Sequence, residues 1–279
     1  GLADGVSGRE LARGEVLAVA AVDGDPVNRV VVAGLGVSGL LTAIKLAKAE
    51  DVEVVGISSK PGLVSGQELG WRLSRPGHWA KHNWITFDRY RGLDRVRTVH
   101  GELTSADLAD ATVTVRGADG VESTEEFDAL VISTGVSNGF WRQPTMQTAA
   151  EIDADIGRAH DRLAAASSVI VIGGGAAAVS SAANIALTWP DTRVDLYFPG
   201  ERALTGHHPR AWARVAQRLA DAGVTLHPGH RAVLPPAFTG AEITADPVEW
   251  STGQPPASAD AVLWTVGLVR PNTGWLPAD

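Results

Sequence analysis

Two glycine-rich turns, 139 residues apart, constrain this chain more than any other feature. The first lies in RVVVAGLGVSGLLTAIKLA and contains Gly34, Gly36 and Gly39. The second lies in SVIVIGGGAAAVSSAANIA and contains Gly173, Gly175 and Ala178. Each follows a short apolar run, Val30 to Ala33 and Val169 to Ile172, that reads as a buried strand. After the first turn Leu40, Leu41, Ile44 and Leu46 recur at helical spacing. In such a strand–turn–helix unit the first glycine permits a tight bend. The second lets backbone approach a pyrophosphate, and the third small residue lets the helix pack on the strand. The pyrophosphate rests on the helix N-terminus, where unbonded N–H groups and the dipole favour an anion. Gly34, Gly36, Val37, Ser38 and Gly39 are therefore candidate ligands of one dinucleotide, and Gly173, Gly175, Ala176 and Ala178 of another. The expected fold class is α/β, with two tandem Rossmann-like, three-layer dinucleotide-binding domains. Two such sites in one short chain point to an enzyme that passes electrons between two nucleotide cofactors.

The bulk properties agree with this expectation. A chain of 279 residues holds two domains of about 100–150 residues each, and 44% hydrophobic residues suffice for their cores. A net charge of -8 argues against general nucleic-acid binding. No apolar segment reaches the length of a membrane span. The first ten residues carry Asp4, Arg9 and Glu10 with no apolar core, unlike a secretory signal, so the expected setting is cytoplasmic. Cysteine is absent, which excludes a structural disulfide, a cysteine–zinc site and a redox-active cysteine pair. No metal site is expected. His78 and His82 have helical spacing, but Pro76-Gly77 precedes them and no carboxylate joins them or His100 at ligand spacing.

Along the chain, Glu15 to Val22 reads as one strand and Asp23 to Pro26 as a turn. A strand from Val52 to Ile57 ends at Ser58-Ser59-Lys60, where a dinucleotide fold carries an Asp or Glu for a ribose hydroxyl. Residues 61–98 read as an irregular excursion, with Trp71, Trp79 and Trp84 as candidates for an aromatic pocket or for core packing. Strands are expected at Thr98–Leu103, Thr112–Arg116 and Glu122–Glu126, then a buried strand from Phe127 to the turn at Gly135. Helices are expected at Ala149–Ala165, with Ile152, Ile156 and Leu163 on one face, and at Pro209–Ala222, capped by Gly223. Strands at Arg193–Phe198 and Val224–His227, a hairpin near 240–250 and a last strand at Ala259–Gly267 complete a layout that repeats the first half.

Taken in order, VVVAGLGVSGLLTAIKLAK, VHGELTSADLADATVTV, FDALVISTG, VIVIGGGAAAVSSAANIA, LADAGVTLHPGHRAV and ADAVLWTVGLVRPNTGWL resemble a known family. It is the pyridine nucleotide-disulfide oxidoreductase superfamily, in its branch without redox cysteines. The nearest likeness is to the apoptosis-inducing-factor-like ferroptosis suppressors and the type II NADH dehydrogenases. The resemblance implies an extension over 1–28, an FAD-binding domain over 29–140, an NAD(P)H-binding domain over 150–270, and the start of a return to the first domain over 271–279. The family's C-terminal interface domain is not part of this sequence. The resemblance also implies site residues. Gly34, Gly36 and Gly39 would hold the FAD pyrophosphate, and Ser58, Ser59 and Lys60 would lie by the adenosine ribose. The Leu103 backbone would meet the adenine, and Thr134 and Gly135 would close over the FAD. Gly173, Gly175 and Ala178 would cradle NAD(P)H, with Val266-Gly267 lining its crevice. The implied activity is hydride transfer from nicotinamide to flavin and on to a quinone or other small organic acceptor.

The sequence departs from the family in four places. Ser58 and Ser59 replace the ribose carboxylate, and the loss of one charge-assisted hydrogen bond, about 1.5–3 kcal/mol, weakens FAD roughly 10- to 150-fold. Ser180 and Asn184 stand where the family carries carboxylates near the flavin, and neither relays a proton as a carboxylate does. The second nucleotide strand ends at Phe198-Pro199, with Glu201 and Arg202 beyond, which leaves NADH and NADPH both open. The family's Gly-Asp motif, whose Asp binds FAD after the return, does not occur before Asp279. These departures keep a second reading open: a degenerate flavoprotein fold with a non-redox binding role or cofactor-independent catalysis. A flavin monooxygenase fits less well, because its usual His-containing signature between the nucleotide motifs does not occur. No residue is assigned to catalysis, and oligomeric state is not legible.

Overall fold

The structure is a computed structural model that describes residues 18–21, 28–66, 68–137, 140, 144–236, 238, 240, 242–267 and 269–277. The chain runs β1 (Ala18–Ala21), β2 (Arg29–Ala33), α1 (Val37–Leu46), β3 (Glu53–Ser58), β4 (Gly62–Val64), α2 (Leu69–Ser74) and α3 (Pro76–Asn83). Then come β5 (Trp84–Thr86), β6 (Val96–His100), β7 (Glu102–Asp107), β8 (Thr112–Arg116), β9 (Glu122–Glu126), β10 (Ala129–Ile132) and β11 (Val136–Ser137). It continues with α4 (Ala149–Ala164), β12 (Ser168–Ile172), α5 (Ala176–Thr188), β13 (Arg193–Tyr197), α6 (Pro209–Asp221) and β14 (Val224–His227). It closes with β15 (Ile243–Thr244), β16 (Ala261–Trp264) and β17 (Arg270–Pro271).

Two five-stranded sheets share one plan. The first has the order β1-β10-β2-β3-β6 and the second β15-β16-β12-β13-β14. In each, four strands are parallel and one edge strand, β1 or β15, is antiparallel. Strands covered on both faces need apolar residues at every position, which is why Val30–Ala33 and Val169–Ile172 are continuous apolar runs with no position left for solvent. Helices α4, α5 and α6 cover one face of the second sheet through Ile152, Ile156, Leu163, Ile185 and Leu219. The other face packs Ile170, Ile172, Val262 and Trp264 against Phe238, Val248 and Trp250.

Shared hydrogen bonds carry the same duplication. Asp128, just before β10, accepts from the backbone N–H groups of Asn28 and Arg29 at the start of β2. Asp260, just before β16, accepts from those of Ser167 and Ser168 at the start of β12. At the amino ends of the first sheet, Glu125 takes hydrogen bonds from Arg97 and Arg29, so β9 is clamped to β6 and β2. Above all the Arg97 bond, with that from Arg29, holds the Glu125 carboxyl below its ordinary pKa against the opposing effect of burial.

Several expectations change. The excursion 61–98 is not irregular: it holds the β4–β5 hairpin, helices α2 and α3, and the start of β6. Pro76-Gly77 suggested a break, yet Pro76 sits in the first turn of α3, where its missing N–H costs nothing. The two helices are too short to show a period, and they are held by burial of Leu69, Leu73 and Trp79 in the core of the second domain. The single strand expected at Thr98–Leu103 is two. Val96–His100 pairs with β3, Glu102–Asp107 pairs with β8, and Gly101 turns the chain between sheets. A Cβ at Gly101 would lie 2.5 Å from Val115 Cγ1. The hairpin expected near 240–250 is instead Ile243–Thr244 paired with β16, plus a bridge from Ala232 to Trp250. Ala18–Ala21, within the supposed extension, join the first sheet, and the turn expected at Asp23–Pro26 lies outside the described residues.

Candidate nucleotide-binding sites

Each glycine turn joins the carboxyl end of a central strand to a helix, β2 to α1 and β12 to α5. The first glycine of each turn is fixed by a close approach. Gly34 has φ +97, and a Cβ there would lie 2.4 Å from the Ser133 carbonyl oxygen. Gly173 has φ +142, and its Cβ would lie 2.6 Å from Thr265 Oγ1. The third position is equally packed: a Cβ on Gly39 would sit 1.8 Å from the Gly34 carbonyl oxygen, and Ala178 is fully buried. The hydroxyl residues after β10 and β16 brace the turns. Ser133 Oγ donates to the Gly34 carbonyl at 2.7 Å, and Thr265 Oγ1 to that of Ile172 at 2.8 Å.

The middle glycines behave differently. Gly36 has φ -66 and Gly175 has φ -90, backbone conformations open to any residue. Beyond its chain neighbours, a Cβ on either would meet no atom of the described residues within 4 Å. Folding therefore does not require glycine at either position, and both turns leave clear the space that a pyrophosphate needs. The two helices that follow are also left open. Neither α1 nor α5 has a side-chain cap or an acidic residue in its first turn. By contrast, α4 has a complete capping box from Thr148 and Glu151. Uncapped N–H groups and an unneutralised dipole suit an anion.

At the far end of the first turn, the expected ribose residues meet a strap, Pro144–Thr148, that leads into α4. The Gln147 N–H donates to the Ser59 carbonyl at 2.9 Å. Lys60 Nζ donates to the Thr145 carbonyl at 2.5 Å, and His100 Nε2 lies 3.0 Å from the Gln147 carbonyl. Ser58 Oγ accepts from the Lys60 N–H at 3.1 Å. Burial lowers the Lys60 pKa to about 8, against the pull of Asp155, Glu102 and Glu151 nearby. Leu103 lies in β7 opposite Val115, next to a register shift. Thr134 and Gly135 are gripped by the segment after β17: Thr134 Oγ1 donates to the Asn272 carbonyl at 2.7 Å, and Asn272 Nδ2 donates to the Thr134 carbonyl at 3.1 Å. Trp275 beyond it is buried in the core of the first domain.

At the second turn, the Leu204 N–H donates to the Gly174 carbonyl at 2.7 Å, so the loop after β13 backs the turn. Arg202 is turned into that loop and donates to the carbonyls of His207 and Thr205 at 3.0 and 3.2 Å. Gly267, with φ +76, follows β16 as Gly135, with φ +65, follows β10. Helix α2 crosses α5 at Gly70, where a Cβ would lie 2.5 Å from the Ser180 carbonyl oxygen. Asn184 Nδ2 donates to that same carbonyl at 2.9 Å, and Arg75 Nη2 reaches Asn184 Oδ1 at 3.5 Å. Ser180 and Asn184 thus serve a tight helix crossing. Trp79, a candidate for an aromatic pocket, is fully buried in the core. Trp71 lies against His78, and His78 faces His82 at 6.0 Å, while His100 lies at the strap. The three histidines are therefore not brought together, and among the described residues no cluster suited to a metal occurs. Among those residues, too, no helix is long and apolar enough to cross a membrane.

The sequence reading missed Asp128, Asp260, Gln147 and Asn272. The aspartates had a signal, the shared Asp-Ala before each last apolar run in FDALV and ADAVL. Gln147 and Asn272 act through partners about 90 and 140 residues away in the chain, which no local pattern shows.

Comparison with known proteins places this geometry. The family model described as pyridine nucleotide-disulphide oxidoreductase matches residues 28–279. No curated protein sequence matches the chain. Among solved structures, reduced CoADR-RHD of Bacillus anthracis superposes with a TM-score of 0.68 at 18% identity, over 91% of this chain and 46% of that one. The water-forming NADH oxidase of Lactobacillus brevis, bound to NADH, gives 0.65 at 20% identity, over 88% and 54%. A ferredoxin reductase of Rhodopseudomonas palustris gives 0.64 at 20% identity, over 90% and 63%. The chain thus spans roughly half to two thirds of the length of these structures, and they share its fold of tandem Rossmann-like units. With the family model covering nearly the whole sequence, this chain belongs to the pyridine nucleotide-disulphide oxidoreductase family.

Proposed function

We propose that the protein is an FAD-dependent NAD(P)H oxidoreductase, with FAD on the first glycine turn and NAD(P)H on the second, that reduces a quinone or another small organic acceptor. The observation that carries this reading is the pair of middle glycines, Gly36 and Gly175, each in an ordinary backbone conformation beside empty space. FAD, when bound, supplies the two-electron chemistry that links a nicotinamide to an acceptor. The chain's own part is to bind and orient. The open N-termini of α1 and α5 take the pyrophosphates, and Ser133 and Thr265 hold the turns in shape. The α2–α5 crossing at Gly70 and Ser180 packs the excursion after β3 closely against the helix of the second turn. Without cysteine, electrons do not leave through an enzyme disulfide. We assign 29–140 to FAD, 150–270 to NAD(P)H and 271–279 to the return, in a cytoplasmic setting where reduced nicotinamide is available.

A second reading, a degenerate flavoprotein fold with a non-redox role, draws on Ser180 and Asn184, whose hydrogen bonds serve the helix crossing and leave no carboxylate there. The visible spectrum of the purified protein separates the two. Flavin bands near about 370 and 450 nm that bleach anaerobically with NADH or NADPH are expected. A colourless protein that cannot be reconstituted with FAD supports the second reading and sinks the first.

A further inference from the structure

We propose that Gln147 supplies the hydrogen-bond acceptor for the adenosine ribose of the dinucleotide on the first turn, in place of the acidic residue that ordinarily follows the second strand of such a fold. The inference rests on the reading that this turn holds an adenine dinucleotide.

Three observations carry it. The first is position: the Gln147 N–H is bonded to the carbonyl of Ser59, just past β3, where a ribose carboxylate stands in this type of fold. The second is orientation. Gln147 Nε2 donates to Asp155 Oδ2 at 2.5 Å, and an ionised carboxylate only accepts, so the amide cannot be turned over. The third is the oxygen left on the other side. Gln147 Oε1 is buried and has no hydrogen-bond donor among the described residues. A buried acceptor with no partner calls for an explanation, and a ribose diol offers two donors.

The neighbouring groups define what kind of ribose fits. By sequence, Ser58-Ser59-Lys60 would lie by the adenosine ribose. In the fold, Lys60 is bonded to the Thr145 carbonyl, and Asp155, Glu102 and Glu151 lie around it. A 2′-phosphate would face these carboxylates, whereas a 2′-hydroxyl meets Gln147. Oε1 is covered from solvent, so contact with the ribose requires part of that cover to be displaced on binding.

The test reads binding. Apoprotein is titrated with FAD by quenching of flavin fluorescence. ADP, 2′,3′-dideoxy-ADP and ADP bearing a 2′-phosphate are then used to displace it, so that only the first site is reported. The wild type is expected to prefer ADP over the dideoxy form by about 5- to 10-fold, as for one neutral hydrogen bond, and to take the 2′-phosphate form more weakly than ADP. In Gln147→Leu, FAD binds about 5- to 10-fold more weakly and the preference between ADP and its dideoxy form disappears. Equal binding of the two forms by the wild type, a comparison that needs no variant, overturns the proposal. So does a preference that survives in Gln147→Leu. A wild type that binds no FAD overturns the dinucleotide reading itself, and this inference with it.

Discussion

Gly36→Val abolishes flavin binding and leaves the fold in place. The Cβ of valine enters space with no other atom of the described residues within 4 Å beyond its chain neighbours, and φ -66 suits it. Thermal unfolding is therefore expected to move by no more than about 2 °C, as for a substitution that touches nothing in the folded chain. FAD affinity falls by at least about 100-fold. That corresponds to the loss of two backbone hydrogen bonds to phosphate, at about 1.5 kcal/mol or more each. Gly175→Val is the mirror experiment, raising the KM for NAD(P)H while flavin content is kept. Gly39→Val supplies the contrast. Its Cβ would sit 1.8 Å from the Gly34 carbonyl oxygen, so the loss there is of the first domain's fold. Flavin content measured on folded protein, beside a melting curve, checks all three. If Gly36→Val retains its flavin, the turn does not hold the pyrophosphate.

Gly70→Val is expected to destabilise the protein by about 3 kcal/mol, at the upper end of the usual cost of overpacking, because the clash is with backbone. The Cβ would come within 2.5 Å of the Ser180 carbonyl oxygen and 2.7 Å of Ser181 Cα, on a helix that cannot move alone. For a chain of this size the melting temperature falls by about 6–12 °C. Gly77→Ala, in α3, is the control. No atom of the described residues lies within 4 Å of the position, and in the first turn of a helix alanine gains at most the roughly 0.5–1 kcal/mol it has over glycine in a helix interior, so stability is kept or slightly raised. Chemical denaturation of the two variants beside the wild type checks the pair. An unchanged midpoint in Gly70→Val would show that α2 and α5 do not cross closely.

The parts of this molecule that obey a local rule were legible in its sequence. Val30–Ala33 and Val169–Ile172 announce central strands because both faces are covered, and the helix at 149–164 shows its buried stripe at Ile152, Ile156 and Leu163. The two turns were legible from the fixed spacing of their small residues, although Gly34 and Gly173 are held by Ser133 and Thr265 far along the chain. Helices α2 and α3 were not, because their stability comes from Leu69, Leu73 and Trp79 lying in the core of the other half of the chain. Gly101 looked like part of a strand because nothing local marks the change of sheet. At the site, Ser58-Ser59-Lys60 could be found by its distance from the glycines, but not what it does. Lys60, placed by sequence beside the adenosine ribose, has its ammonium bonded in the fold to the strap at Thr145. Ser180 and Asn184, read as lost carboxylates, are bonded to each other on α5 where α2 crosses it at Gly70.

Two separate dinucleotides are expected to occupy one chain at once. Native mass spectrometry of the protein incubated with FAD and NADH or NADPH under anaerobic conditions measures this directly. One FAD and one nicotinamide dinucleotide per chain are expected together, with only the first lost in Gly36→Val and only the second in Gly175→Val. A single dinucleotide per chain, with each variant losing that same ligand, would contradict the account.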